Sequence, residues 1–232
     1  MNRLTKLSIG FNRLHDAGAE IIGQLTTLTE LNVAENFLSH EGAESICKLT
    51  QLTVLNINFN GIGDLGAAYI GELSKLTNLS IASNFITEEG ARSISKLKQL
   101  TILDLNDNRI ACKGAQYLGE LSQLKKLNLL ANYIQDKGAK SVSQLENLTE
   151  LNLTRNSIQN EGIKSIIELP LLTKLNISQN RISNEEAQLI SGMKQLKELV
   201  ATHTQIDNEG AKKLHEMELD ILDLSYTLCY SC

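Results

Sequence analysis

Apolar residues return along this chain on a fixed schedule. Leu4, Leu28, Leu52, Leu76, Leu100, Leu124, Leu148, Leu172 and Leu196 are spaced by 24 residues, and Leu219 follows after 23. Each is followed three residues later by a second leucine, from Leu7 and Leu31 through to Leu199 and Leu222. Two further on come Ile, Val or Leu, as in Ile9, Val33, Ile57, Ile81, Leu105, Leu129, Leu153 and Ile177. Then come Asn12, Asn36, Asn60, Asn84, Asn108, Asn132, Asn156 and Asn180, each trailed two positions later by Leu or Ile. The unit reads LxxLxLxxNxIxxxGAxxIxxLxx. Nine complete units from Leu4 and a partial tenth from Leu219 fill residues 1–232, which predicts one repeat domain with no room for a second.

Each unit contains two periodicities, and each dictates an element. Leu7-x-Ile9 alternates with period two, the signature of a short strand with one face inward. From Gly90, the residues Ala91, Ile94 and Leu97 recur at three-residue steps and mark one apolar stripe on a short helix. Ser39, Thr87, Ser183 and Asp207 precede such helices, where a side-chain oxygen can cap free N–H groups. No single unit can bury both stripes. Stacked side by side, the strands form a parallel sheet and the leucines one continuous core.

The repeated asparagine is polar within an apolar pattern. The chain turns there, leaving backbone groups that neither strand nor helix satisfies, and an amide can both donate and accept. A structural ladder of amides from Asn12 to Asn180 is therefore expected.

With these residues in view, the chain resembles leucine-rich repeat proteins over essentially all of its length. The Gly-Ala step that opens the helical half (Gly42-Ala43, Gly66-Ala67, Gly90-Ala91, Gly114-Ala115, Gly138-Ala139) is similar to the GALA-type and ribonuclease-inhibitor-like branches. The resemblance implies an α/β horseshoe solenoid, with a parallel β-sheet on the concave face and short helices on the convex face. It also implies a scaffold for binding other proteins, a role family members fill as enzyme inhibitors, immune receptors and effectors secreted by bacterial pathogens. Fold alone does not assign function.

Two departures from the template stand out. Glu186 occupies the position that most other units give to glycine, so that position does not demand a positive φ, and the glycine is expected to permit close approach of neighbouring turns. In repeat nine, Ala201 replaces a core Leu or Ile, Thr204 replaces the asparagine and Val200 replaces a polar residue. Such degeneracy marks either the approach of the solenoid's end or a local dent, with His203 at its edge, that binds something. Leu4 is already a core leucine and the chain stops before a tenth helix, so the ends are expected to be open, in a fragment or beneath a partner, and able to self-associate.

With the core fixed by template, function must lie at the variable positions. Counting the first leucine of a unit as zero, positions two, four and six flank the inward residues of the strand, and positions seven and nine flank the asparagine. Position seven reads Phe11, Glu35, Phe59, Ser83, Asp107, Ala131, Arg155, Gln179, His203 and Tyr226; position nine includes Arg13, Phe37, Phe85, Arg109, Tyr133, Ser157 and Arg181. All four phenylalanines of the chain lie in these two rows and none in the core template. At a strand spacing of about 4.8 Å, Phe37 and Phe85 should stand ~10 Å apart. Exposed aromatics are common interface anchors, so Phe11, Phe37, Phe59, Phe85 and Tyr133 form a candidate partner-binding strip. Around it Glu30, Glu35, Asp104, Asp107 and Arg109 are followed by Lys126, Arg155 and Lys174, a grading that could orient a partner or simply keep the surface soluble. Position four is mostly Ser, Asn or Asp, compact groups that suit a crowded sheet and could serve a ligand backbone.

Composition removes other classes. A net charge of −5 does not suit a phosphate-backbone binder, and no apolar run approaches the length of a membrane span. The four histidines occupy different positions in mostly distant repeats, there is no phosphate-binding glycine loop, and no zinc-ligand spacing, so neither enzyme, cofactor nor metal is expected. Cys229-Tyr230-Ser231-Cys232 is a lone pair of thiols at the terminus. The absence of a disulfide framework and of an apolar leader, and the presence of Asn-x-Ser/Thr sequons at Asn78, Asn152 and Asn176, where sugars would sit on the proposed binding face, argue for a reducing cytosol, bacterial or host. The expected role is a non-catalytic scaffold gripping a folded protein, in the manner of an effector or effector-regulator that inhibits a partner enzyme. The alternative is a substrate-recruiting adaptor of a ubiquitin-ligase-type complex whose F-box or catalytic module lies outside this chain.

Overall fold

The computed structural model describes residues 3–228; the Cys229 and Cys232 thiols lie outside the described residues. Among the described residues, ten three-residue strands alternate with nine helices in strict chain order. They run from β1 (Lys6–Ser8) and α1 (His15–Ile22) to β9 (Glu198–Val200), α9 (Asn208–His215) and β10 (Ile221–Asp223). All ten strands pair in parallel in one sheet ordered β1 to β10. The register sets Leu7 opposite Leu31 and Leu31 opposite Leu55, a shift of one repeat per strand, and closes with Leu199 opposite Leu222. The molecule is thus a leucine-rich-repeat solenoid: sheet on one side, a row of helices on the other, leucines between.

The strands sit one residue earlier than the Leu7-x-Ile9 pattern suggests. The central leucine points into the core and its two neighbours point outward, half exposed. Pairing nevertheless continues past the strand, since the Ile9 N–H donates to Asn32 O at 2.9 Å and the Phe11 N–H to Ala34 O at 2.8 Å. The helices also begin earlier than the Gly-Ala step. The fourth, α4 (Glu88–Ile94), starts two residues before Gly90 and ends before Leu97, which is buried in the following turn. Ser39, Thr87, Ser183 and Asp207 cap as expected, each accepting from the backbone N–H two residues on, at 3.1, 3.4, 3.3 and 2.8 Å.

The glycine of the Gly-Ala step answers to crowding rather than to φ. Gly63 is the one described glycine with positive φ, and it lies outside that step. A Cβ on Gly90 would stand 2.5 Å from Asp64 Oδ1, 2.6 Å from Ile86 Cγ2 and 3.2 Å from the Ala67 Cβ of the preceding helix. Gly66, Gly114, Gly138 and Gly162 likewise let one helix settle on the alanine of the last. Between α7 (Asn160–Ile166) and α8 (Asn184–Ile190) this contact is missing, because Ile163 replaces the alanine and Glu186 the glycine; these two helices pack less closely than their neighbours. Glu186 is 4% exposed and folds back, accepting from the Ser183 N–H and hydroxyl, both at 2.6 Å. In other repeats a residue of the preceding unit does this: Asp64 accepts from the Thr87 N–H at 2.8 Å and the Thr87 hydroxyl at 2.6 Å. Asn160, which holds the place of Asp64 before α8, is left with a buried Oδ1 that has no hydrogen-bond partner.

Candidate functional site

The loops that follow the strands are built around the asparagines. From Asn36 to Asn180 these are buried, and each side chain ties one repeat to the previous one. Asn156 Nδ2 donates to Leu129 O, Leu153 O and Thr154 O at 2.7, 3.1 and 3.0 Å, while its Oδ1 accepts from the Asn132 and Ile134 N–H groups at 3.1 and 3.2 Å. The ladder therefore runs from amide to neighbouring backbone rather than from amide to amide. Its first rung departs from expectation. Asn12 is exposed and its side chain donates within its own loop, to Ile9 O and Gly10 O. At the other end the Thr204 hydroxyl reaches only Ala201 O at 2.9 Å, inside its own repeat. In repeat nine Ala201 is buried, β10 pairs with β9, and His203 is exposed with its ring stacked 4.6 Å from that of Tyr226.

Burying the asparagine turns its two neighbours outward. Position seven adopts the left-handed backbone in every repeat, from Phe11 (φ 61°) through Glu35, Phe59, Ser83, Asp107, Ala131, Arg155, Gln179 and His203 to Tyr226. Position nine does so at Phe37, Phe85, Tyr133 and Ser157. The four phenylalanines are consequently solvent-facing, with Phe11 74%, Phe37 60%, Phe59 52% and Phe85 63% exposed, and Tyr133 at 59%. The sequence reveals that Phe alternates between the two rows but not why. In repeats one, three and five a second left-handed residue opens the helix, at His15, Gly63 and Ala111; in repeats two and four an extended capping residue, Ser39 or Thr87, stands there instead. Over the first five repeats the loop alternates between two shapes and the phenylalanine follows the shape; repeat six, with both Tyr133 and Gln135 left-handed, breaks the alternation.

Five of the predicted residues meet. Phe85, Asp107, Arg109, Tyr133 and Arg155, with Ser83, Asn108 and Ala131, line a surface depression of about 280 Å³. The Arg109 guanidinium carbon lies 5.8 Å from the centre of the Phe85 ring, within cation–π reach. Asp107 accepts from the Ser83 hydroxyl at 2.9 Å. Phe37 lies apart from this group, stacked on His15 at 5.6 Å, and Phe11, Phe59 and Glu35 do not line the depression.

The sheet face behaves differently from the loop rim. A hollow of about 310 Å³ crosses from β5 (Ile102–Asp104) to β9 and is lined among others by Ile102, Asp104, Lys126, Glu150, Lys174 and Glu198. Lys126 pairs with Glu150 at 2.8 Å, Lys174 with Glu198 at 2.7 Å and Lys6 with Glu30 at 2.7 Å. Of the charges expected to grade the surface, Glu30, Lys126 and Lys174 are thus neutralised by partners on neighbouring strands. Position four also proves structural. Asn32, Asn56, Asp104, Asn128, Asn152 and Asn176 each accept from the N–H two residues ahead, at 3.0–3.1 Å, and so start the turn. Burial pushes the Asp104 carboxyl above its ordinary 3.8, against the opposing effect of hydrogen bonds from the Asn106 N–H and the Asn128 side chain. Among the described residues no His, Cys, Asp and Glu side chains cluster as a metal site would require, and no helix is long and apolar enough to cross a membrane.

A one-layer parallel sheet backed by helices and closed by an asparagine ladder defines a repeat scaffold that presents its loop and sheet faces to solvent. The chain belongs to the leucine-rich repeat family: the family model, described as leucine rich repeat, matches residues 2–62, 50–110 and 146–206. The fold is similar to that of an internalin from Listeria monocytogenes. The two share 19% identity with a TM-score of 0.56, covering 98% of this chain and 82% of that one. No curated protein matches by sequence.

Proposed function

We propose that this chain is a non-catalytic scaffold that grips one folded protein partner through the aromatic loop rim and the adjoining sheet face. One observation carries the reading: all four phenylalanines, with Tyr133, stand exposed on loops whose backbone is otherwise dedicated to holding the asparagine ladder. Large exposed aromatics are costly to solubility and are favoured where a partner covers them. Covering a partner's surface in this way blocks it, which for an enzyme means inhibition, as the role of an effector or effector-regulator would require. Cys47 and Cys112 are free thiols in separate repeats, which suits a reducing cytosol.

The test is a pull-down from the native proteome comparing the wild type with the Phe37→Ala/Phe85→Ala double variant, with circular dichroism to verify that the fold is kept. A partner lost by the variant identifies ligand and face together, since each anchor contributes ~2 kcal/mol or more. Partners retained equally would move the search to the helical side.

A further inference from the structure

Arginine and lysine are used for different purposes in this molecule. The chain has six arginines, and four of them, Arg13, Arg109, Arg155 and Arg181, stand in the two loop rows beside the asparagines. The ion pairs of the described residues are made by lysines on the sheet and by lysines, Arg92 and His40 on the helical side; none is made by these four arginines. Only two carboxylates, Glu35 and Asp107, share their rows, and Asp107 already holds the Ser83 hydroxyl. On a chain of net charge −5, the rim is locally basic while the sheet beside it is neutralised pair by pair.

At one place this basicity coincides with the aromatics. Arg109 and Arg155 line the same depression as Phe85 and Tyr133, and Arg109 lies against the Phe85 ring. A guanidinium over an aromatic face keeps its N–H fork free in the ring plane's surroundings, and that fork matches a carboxylate with two parallel hydrogen bonds. We propose that the depression seats a carboxylate presented by an acidic side chain of the partner protein, held between Arg109 and Arg155, with the apolar flank of the same segment resting on Phe85 and Tyr133. The inference rests on the rim being the binding surface and names what it binds. Charge complementarity favours an acidic protein segment over a nucleic acid, because on the adjoining sheet Lys126 and Lys174, which a phosphate backbone could use, are already paired with Glu150 and Glu198.

The test uses the full chain and three short fluorescein-labelled peptides with identical Phe and Leu positions, carrying Glu, Ser or Lys between them. Fluorescence polarisation is expected to give binding of the Glu peptide about tenfold tighter than the Ser peptide, with the advantage falling as salt rises from about 50 to about 500 mM. Arg109→Gln/Arg155→Gln should remove that advantage, so that the Glu and Ser peptides bind alike. Arg92→Gln, on the helical side, should change nothing. Equal affinity for the Glu and Ser peptides, or indifference to the arginine substitutions, overturns the carboxylate seat. If Phe37→Ala/Phe85→Ala still abolishes binding in that case, the rim stands as the surface and only its ligand chemistry falls. If neither pair of substitutions alters peptide or partner binding, both readings fall. A single-stranded oligonucleotide bound more tightly than the Glu peptide through the same arginines, or sedimentation of the wild type as a dimer that the arginine variant dissolves, would assign the seat to phosphate or to a second copy and overturn the proposal.

Discussion

Asn84 and Phe85 are consecutive residues of one loop, and the structure treats them in opposite ways. The Asn84 side chain is fully buried and donates to Ile57 O of the previous repeat and Ala82 O of its own, both at 2.9 Å; Phe85 is 63% exposed on a left-handed backbone. The same contrast separates Asn36 from Phe37 and Asn132 from Tyr133. What repeats at 24-residue spacing holds the solenoid, and what varies beside it is free to meet a partner. The loop is therefore a mount and the aromatic is what it carries.

Substitutions can test this division directly. The largest effect is expected at Asn156→Ala, which removes five hydrogen bonds from buried backbone groups of two repeats and should lower stability by about 4 kcal/mol. Urea unfolding would measure it, and a loss below about 1 kcal/mol would mean that water replaces the amide and the mount is not structural. Thr204→Asn should act in the opposite sense. It offers the Asn180 loop an amide where the threonine hydroxyl bonds only inward, and should add ~1 kcal/mol of stability, read as slower amide exchange in repeats eight and nine. A smaller gain is expected from Asp104→Asn. Burial raises the carboxyl's folded-state pKa above its ordinary 3.8, so the contribution is fully present below that pH and is lost as pH rises through the raised value. The asparagine variant should melt slightly higher than wild type at neutral pH and no higher in acid, and a gain independent of pH would point to packing instead. Phe85→Ala completes the series with a stability change within about 0.5 kcal/mol, as for an exposed residue that the fold does not use. A larger loss of melting temperature would mean that the ring is part of the mount.

The repeat, its strands, its helices and the asparagine ladder were all readable from spacing, because a stripe of Leu and Ile at two periods leaves one way to stack. The exposed placement of the phenylalanines followed from their absence in the core template. Three things were hidden. The left-handed backbone at Phe11, Phe37 and Phe85 breaks the usual preference of bulky side chains, so no residue-type signal announces it. The pairing of Lys126 with Glu150 and of Lys174 with Glu198 depends on side chains 24 residues apart, which becomes apparent only when units are read as neighbours across strands. The Asp64 carboxylate that serves Thr87 of the next repeat is invisible for the same reason, although the recurrence of Asp16, Asp64 and Asp136 at one position of units one, three and six is a signal that reading across the stack could have found. The looser α7–α8 packing was half legible, through Glu186; its counterpart, Ile163, becomes meaningful only once Ala67 is seen against Gly90.

The left-handed turns have a thermodynamic consequence for association. A non-glycine residue in that region costs about 1 kcal/mol, and the asparagine ladder meets that cost when the chain folds. The aromatic and arginine anchors are thus carried on backbone that is already immobilised before any encounter. A partner arriving at the rim has only side-chain rotamers to order there, so less of its contact energy is consumed in fixing the surface it touches. In the language of rates, docking needs no loop rearrangement first, and the tightness of one partner over another is set by how long it stays.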